Sequence, residues 1–368
     1  MAMFIFVGII VLLVYGLLVY YIGRSVWSWM RPGPSIALKI VYIVVLTVVS
    51  TSFITGRFLG NWTVMNVIGS YWMAIFYVLI VLLPFMHVML WLLRLTTLNR
   101  DRTEKTAGAA VLILMVVLIG VGSFNAYSPT VRAYDVNIPK NAGALEHLNI
   151  VMASDMHFGV LSGKAHAERM VQEINALEPD LVLFPGDIID DDLDAYLNQG
   201  IDQILTGIQA PYGVIASLGN HDRFKGEISE LIEALEHSGM TVLYDETLEV
   251  EDLVLVGRRD KQDRERADLS EIMQEVDRNK PILALDHQPN ALDEAQQAGV
   301  DLIVSGHTHR GQVFPAHLIT SAIFENDWGY LQKGQMHSIV SSGYGFWGPP
   351  IRLGSRSEIV QIQVTFQP

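Results

Sequence analysis

Between Asp155 and His309 the chain carries five short clusters of groups that bind divalent cations. They are Asp155-Met156-His157, Gly186-Asp187-Ile188-Ile189-Asp190, Gly219-Asn220-His221-Asp222, His287 and Gly306-His307-Thr308-His309. Carboxylate and amide oxygens are mixed with imidazole nitrogens, a donor set suited to Mn²⁺, Fe²⁺ or Zn²⁺. There are enough donors for two cations if one carboxylate bridges them. Two such ions, about 3.5 to 4 Å apart, acidify a water and neutralise charge on phosphoryl oxygens, so the chemistry indicated is metal-assisted hydrolysis of a phosphate ester. Any one cluster occurs by chance in many proteins, and an isolated His is more often a satisfied polar residue than a ligand. The informative feature is the whole set in one order.

Each cluster follows a short apolar run: residues 149–154, 181–185, 214–218, 282–285 and 302–305. Runs of this length read as buried strands of an α/β domain, where ligands gather in the crevice beyond the strands' carboxyl ends. Residues 131–138 read as a first strand, and 164–177 and 226–238 as helices, the second with Ile228, Leu231, Ile232 and Leu235 at helical spacing. The expected fold class is α/β, with strands and helices in layers.

The five clusters, in this order, resemble the calcineurin-like metallophosphoesterases, whose pattern is Asp-x-His, Gly-Asp-x-x-Asp, Gly-Asn-His-Asp/Glu, a lone His and Gly-His-x-His. The tail Pro349-Pro350-Ile351-Arg352-Leu353-Gly354, with Glu358-Ile359-Val360, is similar to the ending of the family's membrane-attached bacterial branch. The resemblance implies a layered αββα sandwich. It also implies one metal on Asp155, His157, Asp187 and His309, and a second on Asp187, Asn220, His287 and His307, with Asp187 bridging. His221 would be the general acid and Asp190 the residue orienting its imidazole. Arg310 stands where the branch usually has a small Gly. Its planar guanidinium could grip a substrate phosphate in a bidentate way, or point outward into a salt bridge.

The first part of the chain is of another kind. Apolar stretches at 3–22, 36–54, 70–93 and 107–121 approach or exceed the roughly 20 residues that span a hydrocarbon core, and residues 1–100 contain no acidic side chain. The expected organisation is a four-span transmembrane domain over 1–125, a connector and first strand over 126–147, and the metallophosphoesterase domain over 148–368. Residues 124–129 read as the connector proper. Trp27, Trp29, Trp62, Trp72 and Trp91 fall where interfacial indoles anchor, and His87 and Pro84 fall inside the third span, facing a neighbouring helix.

Arg24, Arg31 and Lys39 lie between the first two spans, and Arg94, Arg100, Arg102 and Lys105 between the last two. Arg57, Arg132 and Lys140 lie on the other side. Positive loops stay in the cytoplasm, so both termini and the metal domain are expected outside. The absence of Cys agrees with an oxidising compartment.

Residues 1–130 hold 8 of the 25 basic and 2 of the 39 acidic side chains, which leaves 17 basic against 37 acidic for the rest. That field repels a polyanion and disfavours nucleic acid. The expected partners are membrane lipids and a phosphoester, with a lipid-linked phosphate or pyrophosphate suggested by placement beside a bilayer. A non-catalytic metal-binding receptor or scaffold coupled to a partner through the helices is the alternative; the complete ligand set and His221 argue against it.

Overall fold

A computed structural model describes residues 2–30, 35–58, 63–222 and 228–367. The chain divides into two compact units, residues 1–123 with 348–350 and residues 124–347 with 351–368.

In the first unit, helices α1 (Ala2–Met30), α2 (Ile36–Phe58), α3 (Thr63–Leu93) and α4 (Arg100–Tyr127) are each long and apolar enough to cross a membrane. A helix satisfies its own backbone, which lipid cannot do. Polar side chains are bonded inside the unit. Trp72 Nε1 donates to Tyr15 Oη (2.7 Å), and that hydroxyl donates to the carbonyl of Ser50 (2.6 Å). Trp72 is therefore a core residue at 5% exposure, not an interfacial anchor as its position suggested. His87 Nδ1 lies 2.6 Å from Tyr21 Oη, so it does face a neighbouring helix. Arg31, Trp62 and the Arg57 side chain lie outside the described residues.

Helix α4 continues through residues 124–127, which were expected to be connector. The backbone there is held by the tail: Ser357 N donates to Asn125 O (3.1 Å), Ser357 Oγ to Ala126 O (2.7 Å) and Asn125 Nδ2 to Arg352 O (3.2 Å).

The second unit contains two six-stranded mixed sheets. One runs β1 (Thr130–Ile138), β12 (Glu358–Phe366), β2 (His147–Met152), β3 (Leu181–Pro185), β4 (Val214–Ser217), β5 (Met240–Val242). The other runs β10 (Gly329–Lys333), β11 (Met336–Val340), β9 (Leu302–Ser305), β8 (Ile282–Leu285), β7 (Leu253–Gly257), β6 (Glu246–Val250). The alternation of strand side chains sorts the apolar runs into layers. Leu148, Ile150, Met152, Leu181 and Leu183 of the first sheet share a core with Leu253, Leu255, Leu283, Leu285, Leu302 and Val304 of the second.

Val151, Val182 and Phe184 face the opposite way, with α5 (Lys164–Asn175), α6 (Leu193–Asn198), α7 (Ile201–Leu205) and α8 (Ile228–His237). Val254, Val256, Ile282 and Ile303 face outward on the second sheet with α9 (Leu269–Ile272) and α10 (Leu292–Ala298). This is the layered α/β sandwich expected. One element stands apart: α11 (His317–Ile323) contains no buried residue.

Candidate metal centre

The clusters sit at the carboxyl ends of strands from both sheets. Asp155 and His157 follow β2, Asp187 follows β3, and Asn220 and His221 follow β4. His287 follows β8, and His307 and His309 follow β9. Facing strands thus aim loops at one point, and five of the seven ligand candidates take a left-handed backbone: Asp155, His157, Asp187, His307 and His309 have φ between 46° and 69°. Non-Gly residues occupy that region rarely, at a cost on the order of 1 kcal/mol or more each, and do so mainly where function demands it. The motif glycines have a steric reason. A Cβ on Gly219 would collide with Asp187 Oδ1, and one on Gly306 with Asp155 Oδ2.

Two groups of donor atoms hold predicted ligands, each with members within 4.8 Å of one another: Asp155, His157 and His309, and Asp187, His287 and His307; a third joins Asp190 to His157 and His221. In the first, His309 Nε2 is 3.4 Å from Asp155 Oδ1 and 3.2 Å from His157 Nε2. In the second, His287 Nε2 is 3.0 Å from Asp187 Oδ2 and 3.2 Å from Asn220 Oδ1. Asp187 Oδ2 is also 3.7 Å from His157 Nε2, so one carboxylate oxygen faces both groups.

These residues fit divalent cations. His287 Nδ1 donates to the carbonyl of Pro185 (2.9 Å), which turns Nε2 toward Asp187, where it would give its proton up to serve as ligand to a cation. Burial opposes the charge on Asp187, yet His287, followed by His157 and His221, holds its carboxyl well below the usual range. Burial likewise opposes the charge on His287, but Asp187 pushes it up to about 10. A buried anion of this kind requires a positive partner, which a metal supplies.

The supports are backbone and side-chain bonds around the ligands. Ser154 Oγ donates to Asp155 Oδ2 (2.6 Å), His307 N to Asp155 Oδ1 (2.9 Å) and His221 N to Asp187 Oδ1 (2.8 Å). Asp222 is fully buried and accepts from Ile188 N (2.8 Å), Ile189 N (2.9 Å) and Gly219 N (2.8 Å), which locks the loop carrying Asp187 to the loop carrying Asn220. Arg352 is also fully buried. It donates to the carbonyls of Ser342 (2.6 Å) and Gly345 (2.7 Å), and its Nη2 stands 3.1 Å from His309 Nδ1. Sequence reasoning placed Asp222 and Arg352 within motifs but gave them no role.

Asp190 and Asp191 both lie close to the His221 ring. Asp191 Oδ2 stands 3.2 Å from His221 Nδ1, while Asp190, with Oδ1 3.6 Å from His157 Nδ1, lies within 4.8 Å of both His157 and His221. Burial disfavours the His221 imidazolium, but the Asp191 bond and the charges of Asp187, Asp191 and Asp190 outweigh it and raise the pKa to about 9. The Arg310 side chain packs on an aromatic ring. Its guanidinium lies 3.7 Å over the Trp328 ring, with Arg132 4.5 Å from the same ring and Trp328 Nε1 donating to Glu358 (3.1 Å). Among the described residues no carboxylate pairs with Arg310.

A sandwich of mixed sheets with carboxylates and imidazoles gathered at its strand ends defines a metallophosphoesterase domain, and comparison with known proteins agrees. Residues 148–311 match the model of the calcineurin-like phosphoesterases. An uncharacterized metallophosphoesterase of Campylobacter jejuni is 32% identical over 270 residues, 68% of this chain and 67% of that one. One from Aquifex aeolicus is 31% identical over 265 residues, 68% of this chain and 98% of that one. A transmembrane protein with metallophosphoesterase domain from Danio rerio is 29% identical over 368 residues, 90% of this chain and 82% of that one. The chain belongs to the calcineurin-like phosphoesterase family, and it is a membrane protein.

Proposed function

We propose that the protein is a multi-pass membrane phosphoesterase that hydrolyses a phosphomonoester or phosphodiester on the extracytoplasmic side. The observation that carries this reading is Asp187 Oδ2, which faces both His287 Nε2 at 3.0 Å and His157 Nε2 at 3.7 Å, the position a bridging ligand needs. Asp155, His157, Asp187 and His309 would hold one divalent ion, and Asp187, Asn220, His287 and His307 the other, with Mn²⁺, Fe²⁺ or Zn²⁺ suited to the donors. When bound, the ions supply acidification of water and neutralisation of phosphoryl charge.

The chain supplies the proton. Asp191, with Oδ2 3.2 Å from Nδ1, favours the protonated form of His221, whose other nitrogen is left to protonate the departing oxygen. Arg310, held 3.7 Å over the Trp328 ring and without a carboxylate partner among the described residues, is available to receive a phosphate oxygen. The distribution of Lys and Arg around the four helices supports the outward orientation of the catalytic unit. Its surplus of acidic side chains favours a small or lipid-linked ester over a nucleic acid.

The test is hydrolysis of bis(4-nitrophenyl) phosphate by full-length protein with added Mn²⁺ or Zn²⁺. His221→Ala should lower kcat about 10² to 10⁴-fold with metal binding retained. Equal inertness of both proteins with metal bound would support a scaffold instead.

A further inference from the structure

Large apolar side chains exposed by more than half are few in the catalytic unit, and nearly all fall together. Phe314, Leu318, Ile319 and Ile323 are 60 to 65% exposed and Trp347 is 55% exposed, with only Phe124 elsewhere among the described residues. Residues 311–324 contain no Asp, Glu, Lys or Arg, although the unit as a whole is rich in charge. Apolar patches of this kind are rarely left to water.

The patch is fastened to the metal centre. Thr308, between ligands His307 and His309, donates through Oγ1 to Asp327 O (2.6 Å), and Thr320 of α11 donates to Asp327 Oδ2 (2.7 Å). Phe324, at the end of α11, has its ring 6.1 Å from that of His307. On the other side, Gln312 bonds Trp347 twice, accepting from its N–H at 2.9 Å and donating to its carbonyl at 3.0 Å, and the Trp347 ring is 5.6 Å from His221. An apolar wall thus runs from beside the second-metal ligand His307 to beside the proton donor His221.

We propose that this wall, Phe314, Leu318, Ile319, Ile323 and Trp347, takes the hydrocarbon chain of a membrane lipid whose phosphoester is presented to the metal centre. The inference rests on the phosphoesterase reading above and adds the substrate class. A hydrocarbon occupant is indicated by the chain itself: four helices long and apolar enough to span a bilayer precede this unit, and only two residues separate the end of α4 at Tyr127 from β1 at Thr130. A short helix that exposes Leu318, Ile319 and Ile323 and buries none of them presents apolar surface to a hydrocarbon partner.

The experiment compares two esters that react identically and differ only in their tail, 4-nitrophenyl methyl phosphate and 4-nitrophenyl hexadecyl phosphate. Both are given to full-length protein in phosphatidylcholine nanodiscs with Mn²⁺. Wild type should prefer the hexadecyl ester in kcat/KM by tenfold or more. Ile319→Glu, and separately the milder Leu318→Ser, should remove most of that preference and leave methyl ester hydrolysis within twofold. A wild type without chain-length preference, or a preference that survives both substitutions, overturns the proposal, as does Ile319→Glu merely converting a dimer to monomers. Failure of both esters with metal bound would instead sink the phosphoesterase reading.

Discussion

Arg352 Nη2 stands 3.1 Å from His309 Nδ1, and its guanidinium is fully buried among backbone carbonyls of residues 342, 345 and 309. A planar guanidinium can serve several carbonyls at once while lying against the imidazole, which an ammonium cannot. Arg352 therefore positions one ligand of the first ion and touches none of the second. Arg352→Lys should weaken one of two Mn²⁺ binding steps by about 10 to 100-fold, the usual effect of losing a ligand's support. Calorimetric titration separates the steps. Equal weakening of both, or of neither, would show that Arg352 only fills space.

Asp191 Oδ2 stands 3.2 Å from His221 Nδ1, and Asp190 lies within 4.8 Å of the same residue. Because the Asp191 carboxylate favours the imidazolium, its removal lowers the His221 pKa, and the proton needed by the leaving group is lost at lower pH. In the metal-loaded enzyme, Asp191→Asn should move the alkaline limb of the kcat/KM profile toward acid, and Asp190→Asn should move it less. The opposite ranking would favour Asp190, the assignment made from sequence.

His166, on α5, is packed against Tyr344 with ring centroids 4.4 Å apart, and its buried Nε2 has no hydrogen-bond partner. Burial, aided by Arg169 and Arg352, lowers its pKa to about 4. An unfolded His titrates near 6.5, so between those values the unfolded chain binds more protons and stability falls as pH drops from about 6.5 to 4. The full effect is on the order of 3 kcal/mol. His166→Phe should flatten the dependence of Tm on pH across this window in detergent-solubilised protein. An unchanged slope would place the acid sensitivity elsewhere.

The strands that carry ligands were legible because each is a short, mainly apolar run that stops at a Gly or Asp; residues 181–185, 282–285 and 302–305 coincide with β3, β8 and β9. The end of α4 was not legible. Gly120, Gly122, Ser123 and Asn125 dilute its pattern, and what holds residues 125 and 126 is Ser357 and Asn125's bond to Arg352, more than 200 positions away. Among Asp190, Asp191, Asp192 and Asp194, spacing alone cannot choose. The backbone brings in Asp191, which takes φ 56° and whose N–H donates to His221 O at 3.2 Å. Arg352 joins the site from 43 residues beyond His309, a distance over which no local period operates. Trp72 looked interfacial by position, and only its bond to Tyr15 reveals a core residue.

Everything turns on whether Asp187 serves two ions at once. Elemental analysis of protein purified without chelators measures this directly, with Asp155→Asn as the comparison. Two ions per chain are expected in wild type, close to one in Asp155→Asn and none in Asp187→Asn. Two ions retained in Asp187→Asn would contradict the shared carboxylate and the dinuclear centre built around it.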